Sequence, residues 1–183
     1  NHDVDFNKRT EIDCKDLDGK ELIPAEAMIE KVQAMVENRS SSDFMIIART
    51  DARHVTGMDD AIARGNAYRE AGADAIFPEG LTSAEEFEQF AEECPGLLLA
   101  NMTEFGKTPS LPVSHFAELG YRMVIYPLSV MRLAMASVHA GLKMLKQNGS
   151  IDSLTDQMQT RSELYELLEY QPGKEWSFRS PQD

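Results

Sequence analysis

The stretch 43-DFMIIART-50 decides the fold, because an apolar run of strand length ends abruptly in an arginine and a threonine. A second run, 73-ADAIFPEG-80, has the same form and ends at Glu79. Near-continuous apolar strands are typical of parallel sheets that helices cover on both faces. The two runs therefore predict an α/β protein with a buried parallel sheet.

The same strand pattern recurs twice more along the chain. Further strands are predicted in 96-GLLLANMTEFG-106 and 121-YRMVIYP-127, and a segment with helical spacing of apolar residues follows each one. A doubly wound sheet and a (β/α) barrel both satisfy this order of elements. The polar residues Arg49, Glu79 and Asn101 each end a different strand, and that edge carries the chemistry in (β/α) barrels. This placement favours the barrel.

Several helix boundaries are predicted from capping residues. Thr56 is predicted to cap a helix from Gly57 to Ala71, and Ser83 with Glu86 forms the pattern of a capping box. Residues 153–170, SLTDQMQTRSELYELLEY, are predicted to form one terminal helix. A closed barrel needs eight strands and about 250 residues, whereas only four βα units are recognised here. We therefore expect about half of a barrel with helices at its C-terminal end.

Composition excludes several classes of partner. The chain has 183 residues and a formal net charge of −13, which disfavours nucleic acid and anionic membrane surfaces. No apolar run approaches the length of a membrane span. Cys14 and Cys94 lie far apart without metal-ligand spacing, which indicates a reducing compartment and a cytoplasmic protein.

Two strand-end residues are candidates for catalysis. Arg49 must leave the core at the end of its strand, where its guanidinium either pairs with Asp51 or binds an anionic ligand. Glu79 ends the next strand, and a capping or solvated role stands beside an acid-base or metal-linked one. The sequence leaves both pairs of alternatives open.

The segment 101-NMTEFGKTP-109 adds hydrogen-bond donors at a third strand end. Asn101 and Thr103 carry donor-capable side chains, although the same residues also make ordinary turns. Arg132 lies near the start of a predicted helix, where a cation opposes the helix dipole. Arg161 either forms a surface salt bridge or joins the site. Together these cations and donors suit a small substrate with two or three carboxylates.

Five stretches carry a resemblance to a known family: IIARTDA, GADAIFPEGL, LLANMTEFGKTP, MVIYPLS and MQTRSELYELLEY. Across residues 17–170 the sequence resembles the 2-methylisocitrate lyases of the isocitrate lyase and phosphoenolpyruvate mutase superfamily. The resemblance implies a (β/α)8 barrel, of which this chain is about the second half. It also implies a homo-oligomer, either a dimer or a tetramer, with one helix swapped between subunits.

The resemblance implies an activity and a set of site residues. The reaction is cleavage of 2-methylisocitrate, a tricarboxylate of propionate breakdown, to pyruvate and succinate with Mg²⁺ as cofactor. The family's metal-binding aspartates belong to its first half, so no metal ligand is predicted in this chain. The implied substrate contacts are Arg49, Glu79, Asn101, Met102, Thr103, Arg132 and Arg161.

The family's general acid is a cysteine in a loop reading Lys-Lys/Arg-Cys-Gly-His. Residues 12–16 here read Ile-Asp-Cys-Lys-Asp, so Cys14 matches while its cationic and histidine neighbours do not. We therefore predict a thiol of ordinary pKa that fails to support turnover. Residues 1–16 are interpreted as a lead unlike the family, and residues 17–183 as the C-terminal half of a lyase-type barrel with its terminal helix.

Two classes of function follow from this sequence. One is a carbon–carbon lyase of the methylisocitrate type, with oxaloacetate decarboxylation as another reaction of the superfamily. The other is a non-catalytic half-barrel that associates with itself or with a full-length subunit, because four strands leave open sheet edges. Turnover measurements separate the two classes.

Overall fold

The computed structural model describes Asp3 and residues 20–175. Helices and strands alternate, which confirms the α/β class. In chain order they are α1 (Ala25–Asn38), β1 (Ile47–Thr50), α2 (Ala52–Val55), α3 (Met58–Glu70), β2 (Ala75–Pro78), α4 (Ala84–Glu93), β3 (Leu99–Asn101), α5 (Val113–Glu118), β4 (Met123–Ile125), α6 (Ser129–Asn148), a 3₁₀ helix (Asp152–Gln157) and α7 (Arg161–Leu167).

The strands form two parallel pairs joined by a bridge. β1 pairs with β2, placing Ile47 opposite Ala75, and β3 pairs with β4, placing Leu99 opposite Met123. A parallel bridge between Ile76 and Leu98 links the two pairs. The strands therefore follow one another in the order of the chain, and all four carboxyl ends meet at one edge.

Buried apolar side chains hold the helices against this sheet. All four residues of β2 are buried, as the continuous apolar run requires. Phe87 of α4 meets Phe116 of α5 edge to face, with ring centroids 5.0 Å apart. Tyr121 completes the aromatic group, with its ring centroid 5.7 Å from both phenylalanines. Such edge-to-face pairs add to the free energy gained by burying the rings.

A close approach of α3 to the sheet depends on Gly65. A Cβ atom at this position would lie 3.0 Å from both Cys94 Sγ and Phe90 Cζ, and 3.4 Å from a methyl group of Ile76. Glycine therefore lets α3 come nearer to α4, and to β2 beneath it, than any larger residue would. Cys94 is fully buried in this contact, which agrees with a structural role.

Two of the capping predictions differ from the structure. Helix α3 begins after Gly57, whose φ is +104°, and the hydroxyl of Thr56 instead donates to Ala52 O and to Asp60. Thr56 is not the cap because the short helix α2 ends there, with the backbone N–H of Thr56 bonded to Ala52 O. Ser83 does cap α4 by accepting from the backbone of Glu86, but the carboxylate of Glu86 accepts from Thr82 N at 2.7 Å, so the predicted capping box forms only in its first half.

Contacts along the chain divide it into two compact units, Asn1–Val130 and Met131–Asp183. In the second unit the prediction of one helix over 153–170 is wrong. Thr160 and Glu163 form a full capping box, which starts α7 as a separate helix. A short 3₁₀ helix precedes it. The boundary predicted at residue 16 lies outside the described residues and stays a prediction.

Candidate active site

The predicted polar residues of the first three strands meet at the carboxyl edge of the sheet. Thr50 and Pro78 are direct neighbours across β1 and β2, and Glu79 N donates to Thr50 O at 2.9 Å. Arg49 therefore reaches over β2, where its guanidinium carbon lies 5.2 Å from the ring centroid of Phe77. Parallel pairing, which gathers strand ends at one edge, brings these residues together.

Arg49 makes the ion pair with Asp51 that the sequence left as one alternative. Its Nε donates to Asp51 Oδ2 and its Nη2 to Asp51 Oδ1, both at 2.8 Å. The third nitrogen, Nη1, lies 3.4 Å from Glu79 Oε2. The pKa of Arg49 is raised, because hydrogen bonding to Asp51 and the charges of Glu79 and Asp51 outweigh the cost of burial. Arg49 is thus fixed in a plane that faces Glu79.

Glu79 is the least satisfied carboxylate of this edge. Its side chain is 16% exposed, and Oε2 is buried without a hydrogen-bond partner among the described residues. Burial raises the pKa of Glu79, and the charge of Asp51 adds to that effect. Arg49, Lys20 and a hydrogen bond from Asn101 act in the opposite direction without cancelling it. Because its contact with Arg49 is an ion pair without a hydrogen bond, this buried oxygen can still accept a hydrogen bond from a polar ligand.

Asn101 is the last residue of β3 and Thr103 follows it closely, so the two lie together at the strand end. The hydroxyl of Thr103 donates to Asn101 Oδ1 at 2.8 Å. Met102, between them, is buried and its backbone N–H bonds to Ile125 O at 2.9 Å. The loop that follows surrounds a cleft of about 220 Å³, lined by Met102, Thr103, Glu104, Phe105, Thr108, Pro109, Ser110 and Tyr126.

We name Arg49, Asp51, Glu79, Asn101 and Thr103 the carboxyl-edge cluster. One cation and two donor-capable side chains stand beside two carboxylates there, an arrangement that can bind an anionic ligand and hold a proton. The remaining predicted residues lie elsewhere in the chain. Arg132 is a half-buried residue of α6 and Arg161 is the exposed first residue of α7, both in the second unit. Cys14 lies outside the described residues.

The sequence interpretation missed Lys20 and Asp3. Lys20 Nζ lies 2.5 Å from Asp51 Oδ1, and Asp3 accepts hydrogen bonds from Thr50 and from the backbone of Asp51. Their positions in the sequence gave no periodic signal, because each reaches the site from outside the repeating βα units. The Arg49–Asp51 contact did have a signal, since the two residues are close neighbours in the sequence, although Asp51 lies beyond the end of β1.

The described residues do not by themselves fit a divalent cation. Within Asp3 and residues 20–175, no group of three histidine, cysteine, aspartate or glutamate side chains could hold a metal. Asp51 is already paired with two cations, and Glu79 stands next to Arg49. A divalent ion at this place would meet those cations and be repelled by them.

Known proteins resemble this chain over most of its length. The sequence model of a family described as phosphoenolpyruvate phosphomutase matches residues 9–146. The 2-methylisocitrate lyase of Bacillus subtilis is 46% identical over 157 residues, which cover 86% of this chain and 52% of that protein. The chain therefore spans about half the length of the curated relatives it matches.

Solved structures show the same fold. A trigonal crystal form of 2,3-dimethylmalate lyase superposes with a TM-score of 0.76 at 35% identity, covering 91% of this chain and 54% of that one. Phosphonopyruvate hydrolase, solved with oxalate and Mg²⁺, gives a TM-score of 0.73 at 28% identity, covering 92% of this chain and 57% of that one. No helix within the described part of the chain is long and apolar enough to cross a membrane.

Proposed function

This chain belongs to the phosphoenolpyruvate phosphomutase family, and on that premise we propose that its carboxyl-edge cluster binds 2-methylisocitrate for cleavage to pyruvate and succinate. The observation that carries the proposal is the pairing of Arg49 Nη1 with the unsatisfied Oε2 of Glu79 at a common strand edge. A guanidinium beside an unpaired buried oxygen offers both a carboxylate anchor and a proton-holding group.

We further propose that the chain forms the second half of a (β/α)8 barrel, with residues 17–183 as the lyase-type part. Four parallel strands in chain order, with polar residues at their carboxyl ends, support this arrangement. The family's metal-binding half then lies outside these residues, and a Mg²⁺ ion held there would supply charge stabilisation.

The residues of this chain would work on the substrate as follows. Arg49 binds one carboxylate, and the donors of Asn101 and Thr103 orient the end that becomes pyruvate. Glu79 Oε2 faces the reacting centre, where a raised pKa allows it to hold a proton. A base takes the substrate's hydroxyl proton, the carbon–carbon bond breaks, and an acid returns a proton to the succinate carbanion.

The remaining assignments rest on the resemblance. Met102 is assigned to the cleft beside the substrate, and Arg132 and Arg161 are assigned to its outer carboxylates. Cys14 is assigned the place of the general acid. Its mostly acidic neighbours predict an ordinary thiol pKa and weak catalysis. A cytoplasmic protein that forms a homodimer or homotetramer completes this proposal.

A second candidate function, a half-barrel that associates without catalysis, is favoured by helix α6. Every residue of α6, all of them within the described range, is at least partly exposed. Its apolar side chains include Leu133, Val138 and Leu142, which are 71%, 50% and 62% exposed. Exposed apolar area of this kind is typical of an interface.

Ligand binding tests the proposed site directly. We expect the purified chain to bind 2-methylisocitrate, and Arg49→Lys to raise the Kd by about 10-fold or more, because a lysine cannot form the same fork. Arg39→Lys is the matched control. Arg39 pairs with Asp74 at 2.8 Å, away from the cluster, so its replacement should leave the Kd unchanged. Equal losses in both variants would contradict the proposal.

Turnover separates the two candidate functions. Pyruvate release from 2-methylisocitrate is measured with Mg²⁺, alongside the mass of the chain in solution. Release well above background that Cys14→Ser abolishes supports catalysis by this chain and contradicts the non-catalytic half-barrel. A stable oligomer that binds substrate and releases no pyruvate supports the half-barrel and contradicts the lyase for this chain alone.

A further inference from the structure

Arg49 gives most of its hydrogen-bonding capacity to Asp51 rather than leaving it for a ligand. Two of the three guanidinium nitrogens donate to the two carboxylate oxygens of Asp51 at 2.8 Å. Such a fork fixes the plane of the guanidinium. Only Nη1, which lies 3.4 Å from Glu79 Oε2, is turned towards the candidate site. The contact with Asp51 therefore decides which edge of Arg49 a substrate meets.

The carboxylate of Asp51 is paired with two cations, Arg49 and Lys20. Its side chain is 1% exposed, and Lys20 Nζ lies 2.5 Å from the oxygen that also accepts from Arg49 Nη2. Burial favours protonation, but hydrogen bonds and charge from Arg49 and Lys20 outweigh it and bring the pKa of Asp51 to about 2. The carboxylate is thus charged at every pH at which the protein is expected to work.

The backbone around Asp51 is anchored to helix α3 through Asp3. One oxygen of Asp3 accepts from Asp51 N at 2.9 Å, and the other accepts from Thr50 Oγ1 at 2.7 Å and Tyr68 OH at 2.9 Å. Arg64 Nη1 stands 3.5 Å from the same oxygen. Asp51 therefore has a fixed main chain as well as a fixed side chain.

Charge at this place depends on Lys20. An arginine paired with an aspartate is neutral as a unit, and a neutral pair attracts a carboxylate only weakly. With Lys20 the three side chains carry two positive charges and one negative charge. Glu79, 3.4 Å from Arg49 Nη1, adds a second negative charge when it is ionised, so the lysine keeps the group from becoming net negative while Asp51 keeps Arg49 in place.

We propose that Asp51 is a positioning residue which, together with Lys20, presents the Nη1 edge of Arg49 to a substrate carboxylate. This inference rests on the proposed function, because it assigns a cause to the carboxylate binding of that same site. Neither side chain needs to touch the substrate. Asp51 supplies the orientation of Arg49, and Lys20 offsets the negative charge of Asp51.

Orientation and simple electrostatics make opposite predictions for Asp51→Asn. Removing a negative charge makes the group more positive, which by charge alone would tighten the binding of succinate. Loss of the fork frees Arg49 to turn towards Glu79, which would weaken that binding. We expect the Kd for succinate to rise about 10-fold in Asp51→Asn. Lys20→Met should also weaken binding and reduce its dependence on salt, because the positive charge that offsets Asp51 is lost.

Asp74→Asn is the matched control, because Asp74 also pairs with an arginine at 2.8 Å. It lies at the opposite edge of the sheet, so its replacement should leave succinate binding unchanged.

A spectroscopic measurement follows Arg49 itself. Its Nε–H, bonded to a buried carboxylate, should exchange slowly with water in nitrogen-15 spectra, with Arg49→Lys identifying the signal. That protection should disappear in Asp51→Asn and persist in Lys20→Met and Asp74→Asn.

Each outcome decides one of the two proposals. If the wild-type chain binds succinate and Asp51→Asn binds it equally well or more tightly, the positioning role is overturned while the proposed function stands. If the wild-type chain does not bind succinate, the proposed function is overturned. In that case the Nε–H signal of Arg49 still tests the positioning role. Loss of the signal in Asp51→Asn supports the role of Asp51 in orienting Arg49, and persistence of the signal overturns that role.

Discussion

The two edges of the β1–β2 pair each carry an arginine–aspartate ion pair, and the pairs do different work. At the carboxyl edge Arg49 meets a carboxylate that is 1% exposed and that Lys20 also contacts. At the amino edge Arg39 meets Asp74, whose side chain is 30% exposed and also accepts from Ile46 N at 2.8 Å. The amino-edge pair connects the end of α1 to the backbone before β1. The carboxyl-edge pair places charge beside Glu79, one of whose carboxylate oxygens lacks a hydrogen bond.

Glycines mark the same contrast. At the amino edge Gly72 has φ +104°, and a Cβ there would lie 2.9 Å from a methyl group of Val36. At the carboxyl edge Gly80 has φ +74°, and a Cβ would lie 2.4 Å from two ring atoms of His54. The histidine ring therefore fills the space next to Gly80, the residue that follows Glu79.

The largest difference is expected between Asp51→Asn and Asp74→Asn. Removing the charge of Asp51 leaves Lys20 and Arg49 partly buried beside a neutral amide, a change that costs about 3–5 kcal/mol in buried pairs. Asp74→Asn should cost about 1 kcal/mol or less, because the pair is partly exposed and an asparagine oxygen can still accept from Ile46 N. Urea unfolding at neutral pH measures both. Equal costs would remove the contrast between the two edges.

Gly80→Ala is expected to destabilise the fold by about 2–4 kcal/mol, combining left-handed backbone strain with a clash against His54. In a His54→Ala background the clash is absent, so the same substitution should cost only about 1–2 kcal/mol. Thermal or urea unfolding of the four proteins in this cycle gives the coupling. A Gly80→Ala cost that does not depend on residue 54 would show that the ring is not the obstacle.

Lowering the pH should reduce the free energy of unfolding, because Asp51 at the carboxyl edge becomes protonated. Its pKa lies at about 2 in the folded chain against an ordinary value of 3.8. Because the folded value is depressed, the contribution to stability is present above pH 4 and is lost as the pH falls towards 2, amounting to roughly 2 kcal/mol. The stability gap between the wild type and Asp51→Asn should narrow over that interval. A gap that stays constant down to pH 2 would contradict the assignment.

Glu79→Gln is expected to give the smallest change, and one of opposite sign. Burial raises the pKa of Glu79 above its ordinary value of 4.5, so the folded chain favours the protonated form. Wild-type stability is therefore lowered as the pH rises above that value, and glutamine avoids this loss. Unfolding at neutral pH should show Glu79→Gln slightly more stable than the wild type, with no difference at pH 4. Lower stability at neutral pH would indicate that the contact with Arg49 outweighs burial.

The sequence predicted the elements better than their connections. The strands of DFMIIART and ADAIFPEG were recognisable because buried parallel strands leave an apolar run that ends at a polar residue. Thr56 was predicted to be the N-cap of α3, but it is the C-cap of α2. The short helix α2 has no periodic signal in the sequence, so its end could not be recognised there. The helix predicted over residues 153–170 is too long because the capping box of Thr160 and Glu163 starts a separate helix, α7.

The candidate site was predictable in part for the same reason. Arg49, Glu79 and Asn101 end successive strands, and parallel pairing brings successive strand ends together. Lys20 and Asp3 were not predictable, since they lie far from Asp51 in the sequence and reach it only through the folded chain.

The sequence by itself determined the α/β class, the four parallel strands and the polar residues at their ends. It did so because burial on both faces and hydrogen-bonded pairing leave a local record in residue order. Only the tertiary structure decided that Arg49 is held by Asp51, that Lys20 also pairs with Asp51, and that Glu79 Oε2 has no hydrogen-bond partner among the described residues. Those properties depend on distances between distant parts of the chain, and no local pattern encodes such distances.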